Sequence, residues 1–195
     1  MRRSVPAQTD DEALIGLAAS GDREAFGDLY ERYAVKVFRH AYFLTGEVAL
    51  AEDLTAQTFL NAMQAICRYE SRGVPFVAWL LRIAGNLVIN YRKSHKNNGH
   101  APLPDTLEAT GSFYSPEASC EVAVDGERVW QEVRKLSQEQ RRVIVMRFVD
   151  DLSYPDIAQV LGKSVGAVRV IQFRALSNLR HLLDGELNYA FRRAS

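Results

Sequence analysis

The chain has 195 residues, 47% of them apolar and 25% charged, with 24 basic and 24 acidic side chains. That length suits one or two small domains with real cores, and no run of about 18 apolar residues exists to span a membrane. The opening MRRSVPAQTDDE carries arginines without an apolar stretch behind them, so it is not expected to act as a secretory signal, and two isolated cysteines, Cys67 and Cys120, are too few for a disulfide framework or a zinc site.

The first hundred residues read as helices throughout. Thr9 to Glu12 forms a capping box that opens a short helix, closed by Gly21. Asp22 caps a second helix running to about Thr45 and stopped by Gly46; Phe26, Leu29, Tyr30, Tyr33, Val37, Phe38, Ala41 and Leu44 recur at helical spacing along it. A third helix spans about Val48 to Arg68, with Leu50, Leu54, Phe59 and Ile66 apolar and Cys67 read as a core thiol. A fourth begins at Pro75, where a missing N–H costs least, and continues to about His95. Residues 97 to about 125 lose all periodicity and hold Pro102, Pro104, Gly111 and Pro116, which marks a linker. Helices resume from about Glu127 to Leu136, then from a Ser137 cap to about Val149. No strand pattern and no internal repeat is convincing.

The final helical pair is the most distinctive stretch, SYPDIAQVLGKSVGAVRVIQFRALSNLR from Ser153 to Arg180. Ser153 and Asp156 form a capping box, Pro155 sits in the first turn, and Gly162 ends the helix by tolerating a left-handed turn. Ser164 caps a second helix whose expected buried side is Val168, Ile171, Ala175, Leu176 and Leu179. A helix, a tight turn and a cationic second helix suit a duplex groove. From Ile157 to Leu183 no acid occurs, while Lys163, Arg169, Arg174, Arg180 and His181 are present. An ordinary helical hairpin with a solvated basic face is the plain alternative.

The neutral total conceals unlike parts. Residues 1–96 carry 12 basic against 11 acidic side chains, residues 97–126 none against 5, and residues 127–195 12 against 8. A second acid-free segment runs between Glu70 and Asp105, with Arg72, Arg82, Arg92, Lys93, Lys96 and the aromatics Phe76, Trp79 and Tyr91. Cations interleaved with rings suit melted strands, where exposed bases stack and cations hold the backbone. Trp79 also fits a buried stripe with Leu80, Ile83 and Leu87, and core is the favoured reading for it. Asn86 and Asn90 lie one helical turn apart and can face outward together; as amides they can read a base edge or simply be solvated.

Taken together these segments resemble the extracytoplasmic-function sigma factors of the sigma-70 family, from about Asp10 to Leu183. AFGDLYERYAVKVFRHAYFLTGEVALAEDLTAQTFLNAM resembles the start of the family's first domain, FVAWLLRIAGNLVINYRKSHK the helix that reads and opens the −10 element, and LSQEQRRVIVMRFVDDLSYPDIAQVLGKSVGAVRVIQFRALSNLRHLL the domain that reads the −35 element. The resemblance implies an all-α fold of two small helical domains, residues 1–96 and 127–195, joined by an extended acidic linker over 97–126. It implies that Asp53, Leu54, Thr58 and Phe59 dock on the polymerase core. Arg82, Asn86, Asn90, Arg92 and Lys93 would contact the melted −10 strand, with Asn86 holding a flipped base. Lys163, Ser164, Arg169, Val170, Phe173 and Arg174 would meet the −35 duplex.

The chain departs from the family pattern at Ala56 and Gln57, at Gly85, at Val170, where Ser is frequent, and at Ile171, where a basic residue is frequent. The partners implied are bacterial RNA polymerase core, promoter DNA and an anti-sigma factor, in the cytoplasm, with the linker threading the polymerase cleft. No catalytic constellation, cofactor motif or metal-ligand cluster stands out, so an enzyme is not expected. The rival reading is a conventional helix-turn-helix regulator that binds duplex DNA without polymerase; the cationic 71–104 segment argues against it.

Overall fold

The computed structural model describes residues 10–70, 73–97 and 129–194, with side chains to 95 in the second stretch and to 184 in the third. Every regular element among them is helical: α1 (Asp11–Ala19), α2 (Arg23–Thr45), α3 (Val48–Ala65) with a single 3₁₀ turn at Ile66–Arg68, α4 (Phe76–Asn97), α5 (129–135), α6 (Gln138–Phe148), α7 (Tyr154–Leu161) and α8 (Val165–Ala194). The linker, Cys120 and the side chains of the C-terminal tail lie outside the described residues.

Local chemistry explains the boundaries. Asp22 accepts from the N–H groups of Glu24 (2.9 Å) and Ala25 (3.2 Å), giving α2 its start. Gly46 ends α2 at φ +82° and donates to the Tyr42 carbonyl at 2.7 Å. The Ser153–Asp156 capping box is fully formed, and Gly162 adopts φ +64° between α7 and α8. At α1 the cap is Asp10, not Thr9: its carboxylate accepts from the Glu12 N–H at 3.4 Å. Cys67 is exposed, contrary to the core reading. Ile66, four residues past the buried Ala62, continues the inward stripe, and Cys67, about 100° further round, falls on the outward face with Leu60 and Met63.

Helices α1 to α4 pack around Leu14, Leu29, Val37, Leu80 and Leu81, while α6 to α8 contribute Val143, Met146, Ile157 and Val168 to the same continuous cluster. A second cluster joins Ala41, Leu44, Leu54 and Val88 to Val145 of α6, with Phe43 against Trp130 of α5 at 4.2 Å between ring centroids. The two helical groups therefore share their cores, with α2 against α6 and α4 against α7.

Polar contacts cross the same boundary. His40 Nδ1 lies 2.6 Å from Asp150 Oδ2, both buried. The Leu44 carbonyl, left without an intrahelical partner near the end of α2, accepts from Arg92 of α4 and from Arg141 of α6, the latter at 3.3 Å. The Arg142 guanidinium fills the space beside Gly85, so close that a Cβ there would stand 2.8 Å from its Nη2. Burial lowers the pKa of both Arg92 and Arg142, with Glu139 opposing the shift at Arg142.

Candidate nucleic-acid interface

On α4 the buried residues Phe76, Ala78, Leu80, Leu81, Ala84 and Val88 define an inward face. Arg82, Asn86, Asn90 and Lys93 are all exposed, and steps of four, four and three residues place them in one row along the outward face. This row combines two cations with two amides, able to hold a backbone and read a base edge. Arg92 is not part of it. It points about a third of a turn away and is engaged in capping α2. Trp79 is half-buried against Tyr69 and Phe76, with ring centroids 4.9 and 5.3 Å away, as the packing reading expects.

On α3 the four residues matched to core docking separate. Asp53 is exposed, whereas Leu54, Thr58 and Phe59 are buried. Thr58 Oγ1 donates to the Leu54 carbonyl at 2.6 Å, and Phe59 meets Tyr30 edge-on at 4.7 Å. In this arrangement these three side chains face inward and hold the helix. The outward face next to Asp53 is made instead by Ala56, Gln57, Leu60 and Met63, the last two large apolar side chains in solvent. Helical periodicity carried forward from Asp53 reaches these positions, and a motif match alone does not distinguish the two faces.

The turn and α8 carry the third set. Ser164 Oγ accepts from the Ala167 N–H at 3.1 Å and so caps α8. Lys163 pairs with Glu139 across to α6 at 2.7 Å. Val168, Ala175 and Leu179 are buried against the rest of the unit, and Arg169, Val170, Phe173 and Arg174 are exposed. Arg169 lies over the Tyr154 ring, 5.1 Å from its centroid, which restrains its guanidinium at the start of the helix. Leu176 is exposed rather than buried; it sits about 100° round from Ala175, which takes the inward position. The α8 surface is thus a cationic helix face with an apolar centre, standing at the end of a tight turn.

Comparison with known proteins identifies the family and the fold. Sigma-70 region 2 matches residues 29–98 and Sigma-70, region 4 matches residues 133–181. The chain is 36% identical over 185 residues to the ECF RNA polymerase sigma factor BldN of Streptomyces coelicolor, covering 93% of this chain and 70% of BldN. It is 29% identical to the ECF RNA polymerase sigma factor SigW of Bacillus subtilis, covering 84% of this chain and 91% of SigW. Among solved structures, CnrH in complex with the cytosolic domain of CnrY superposes with a TM-score of 0.67 at 30% identity, covering 90% of this chain and 97% of CnrH. The sigma factor RpoE of Bartonella quintana, solved with the anti-sigma factor NepR, shares the fold at a TM-score of 0.62 and 22% identity, covering 80% and 97%. Among the described residues no helix is long and apolar enough to cross a membrane. The chain belongs to the extracytoplasmic-function sigma factors of the sigma-70 family, the subunits that bind bacterial RNA polymerase and direct promoter-specific initiation.

Proposed function

We propose that the α4 row Arg82, Asn86, Asn90 and Lys93 captures the melted −10 strand, and that α8 reads the −35 duplex through Arg169, Val170, Phe173 and Arg174. The observation that carries this assignment is that both rows are solvent-exposed on the outward faces of helices whose other faces are buried. Domains at about 1–96 and 127–195, with a linker between them, accommodate the two tasks. Asp53 and the apolar surface beside it on α3 are the proposed contact with the polymerase core. The chemistry of RNA synthesis belongs to that core, and this chain, acting in the cytoplasm, selects where synthesis starts. CnrH is seen bound to the cytosolic domain of a second protein, CnrY, which supports a protein partner here too, of the anti-sigma kind.

The two elements lie about 25 base pairs apart, or about 85 Å at 3.4 Å per pair. A compact body of this length has a radius of gyration of only about 16 Å. Bridging both elements therefore requires the α1–α4 group and the α5–α8 group to part, with the linker setting their reach.

The test is reconstituted transcription with sigma-free core polymerase on a genomic promoter library, with the transcript 5′ ends sequenced. Discrete protein-dependent starts sharing motifs near −10 and −35 are expected. No starts, and no stable complex with core, would return the chain to the class of conventional duplex-binding regulators.

A further inference from the structure

Val170 and Phe173 stand 49% and 74% exposed at the centre of the outward face of α8, and Phe173 is the most exposed large apolar side chain among the described residues. Neither belongs to a hydrophobic cluster. Three residues apart, they share one face of the helix, with Arg169 and Arg174 beside them. No acid occurs from Ile157 to Leu183, so this helix face itself carries only positive charge and attracts a polyanion. The occupant to which this charge pattern commits the face is duplex DNA.

Neither side chain can donate or accept a hydrogen bond, and that limits what it can read. The donors and acceptors of the base edges are invisible to it. The apolar feature that base pairs offer in the major groove is the C5-methyl group of thymine. Where the family often carries Ser, Val170 has replaced a hydroxyl that could bond either kind of edge with a pair of methyl groups.

We infer that α8 reads its element by apolar contact, with Val170 and Phe173 packed on thymine C5-methyl groups in the major groove while Arg169 and Arg174 set the register. This rests on the assignment of α8 to the −35 duplex and adds the chemistry by which sequence is selected there.

The experiment uses the full chain bound to core polymerase and a promoter identified from its transcript 5′ ends. That promoter is synthesised with deoxyuridine in place of thymidine across the −35 element, one strand at a time, which removes the methyl group and leaves the pairing intact. Thymidines in the spacer are replaced as a control. Holoenzyme binding is expected to weaken about fourfold for each contacted methyl, with no effect from the spacer. Phe173→Ala and Val170→Ser should each bind more weakly on thymidine promoters and lose part of the discrimination, and the double variant should no longer distinguish the two bases. Equal binding of thymidine and deoxyuridine promoters would overturn apolar readout while protein-dependent initiation continued, leaving the sigma function intact. Absence of any protein-dependent initiation would remove both.

Discussion

His40 and Asp150 stand 110 residues apart in sequence, and their side chains meet at 2.6 Å between Nδ1 and Oδ2 where α2 passes the end of α6. His40 is 0% exposed and its Nε2 has no hydrogen-bond partner among the described residues. This contact thus joins the α2 segment to the helix-turn-helix unit in the middle of apolar packing. A buried polar group is tolerated only when paired, so each residue depends on the other half of the chain. Asp150→Ala leaves the buried imidazole without its partner, and a loss of about 1–3 kcal/mol is expected. Denaturant unfolding measures this loss. The His40→Ala, Asp150→Ala double variant should lose less than the sum of the single variants.

Gly85 and Arg142 form a second pair across the boundary. Replacing Gly by Ala within a helix ordinarily gains about 1 kcal/mol. Here the added methyl would stand 2.8 Å from Arg142 Nη2, so the half-buried guanidinium must move. Gly85→Ala should stabilise the protein by about 1 kcal/mol only in an Arg142→Ala background. In the native background little or no gain is expected, and chemical denaturation of the four proteins in the cycle checks it. The family departure at Gly85 thus has a structural explanation: it makes room for a side chain of the other unit.

The α3 residues separate folding from docking. Phe59→Ala empties a core position between Tyr30 and Phe26 and should cost about 3–5 kcal/mol, seen as a lowered unfolding midpoint. Asp53 is exposed, so Asp53→Arg should leave that midpoint within about 0.5 kcal/mol while weakening association with core polymerase. If the Asp53 variant binds core as the native chain does, docking lies elsewhere.

Asn86 and Arg174 should divide the promoter between them. Asn86→Ala is expected to reduce strand opening, read by permanganate reactivity of thymines near −10, and to leave binding to core unchanged. Arg174→Ala should lower occupancy of the upstream duplex by about tenfold for the loss of a charge-assisted contact and spare opening on promoters preopened near −10. Loss of core binding together with opening in the Asn86 variant would mark a folding defect.

Ser153 anchors the start of α7 through both halves of its capping box. Ser153→Ala should cost about 1 kcal/mol, measured by thermal unfolding, and should weaken −35 use no further than that loss of stability explains.

Much of this architecture is legible from short-range chemistry. Asp22, Gly46, Ser137, Ser153 and Gly162 announce their helix ends because a cap acts within four residues. The outward row on α4 follows from the helical period once Asn86 is placed. What escapes is whatever depends on a distant partner. Arg92 looks like one more cation in a basic run, but its direction is decided by the Leu44 carbonyl 48 residues earlier. Leu54, Thr58 and Phe59 match a docking motif, yet a motif records which residues recur together and not which of them turn inward. Cys67 invites a core reading as a small apolar residue, yet the period that carries Ala62 and Ile66 inward turns it outward. His40 carries no local sign of its role, since nothing near it in sequence predicts Asp150.

The shared core changes what a break in the backbone would do. Leu80 and Leu81 on one side and Val143 and Met146 on the other belong to one continuous apolar cluster, so the peptide link between residues 97 and 129 is not what keeps the halves together in this body. Two polypeptides made separately, one ending at Asn97 and the other beginning at Glu127, should find each other in solution and co-purify as a noncovalent pair. Their affinity, taken together with the effective concentration the linker imposes, would then measure how much free energy polymerase and promoter must supply to draw them apart.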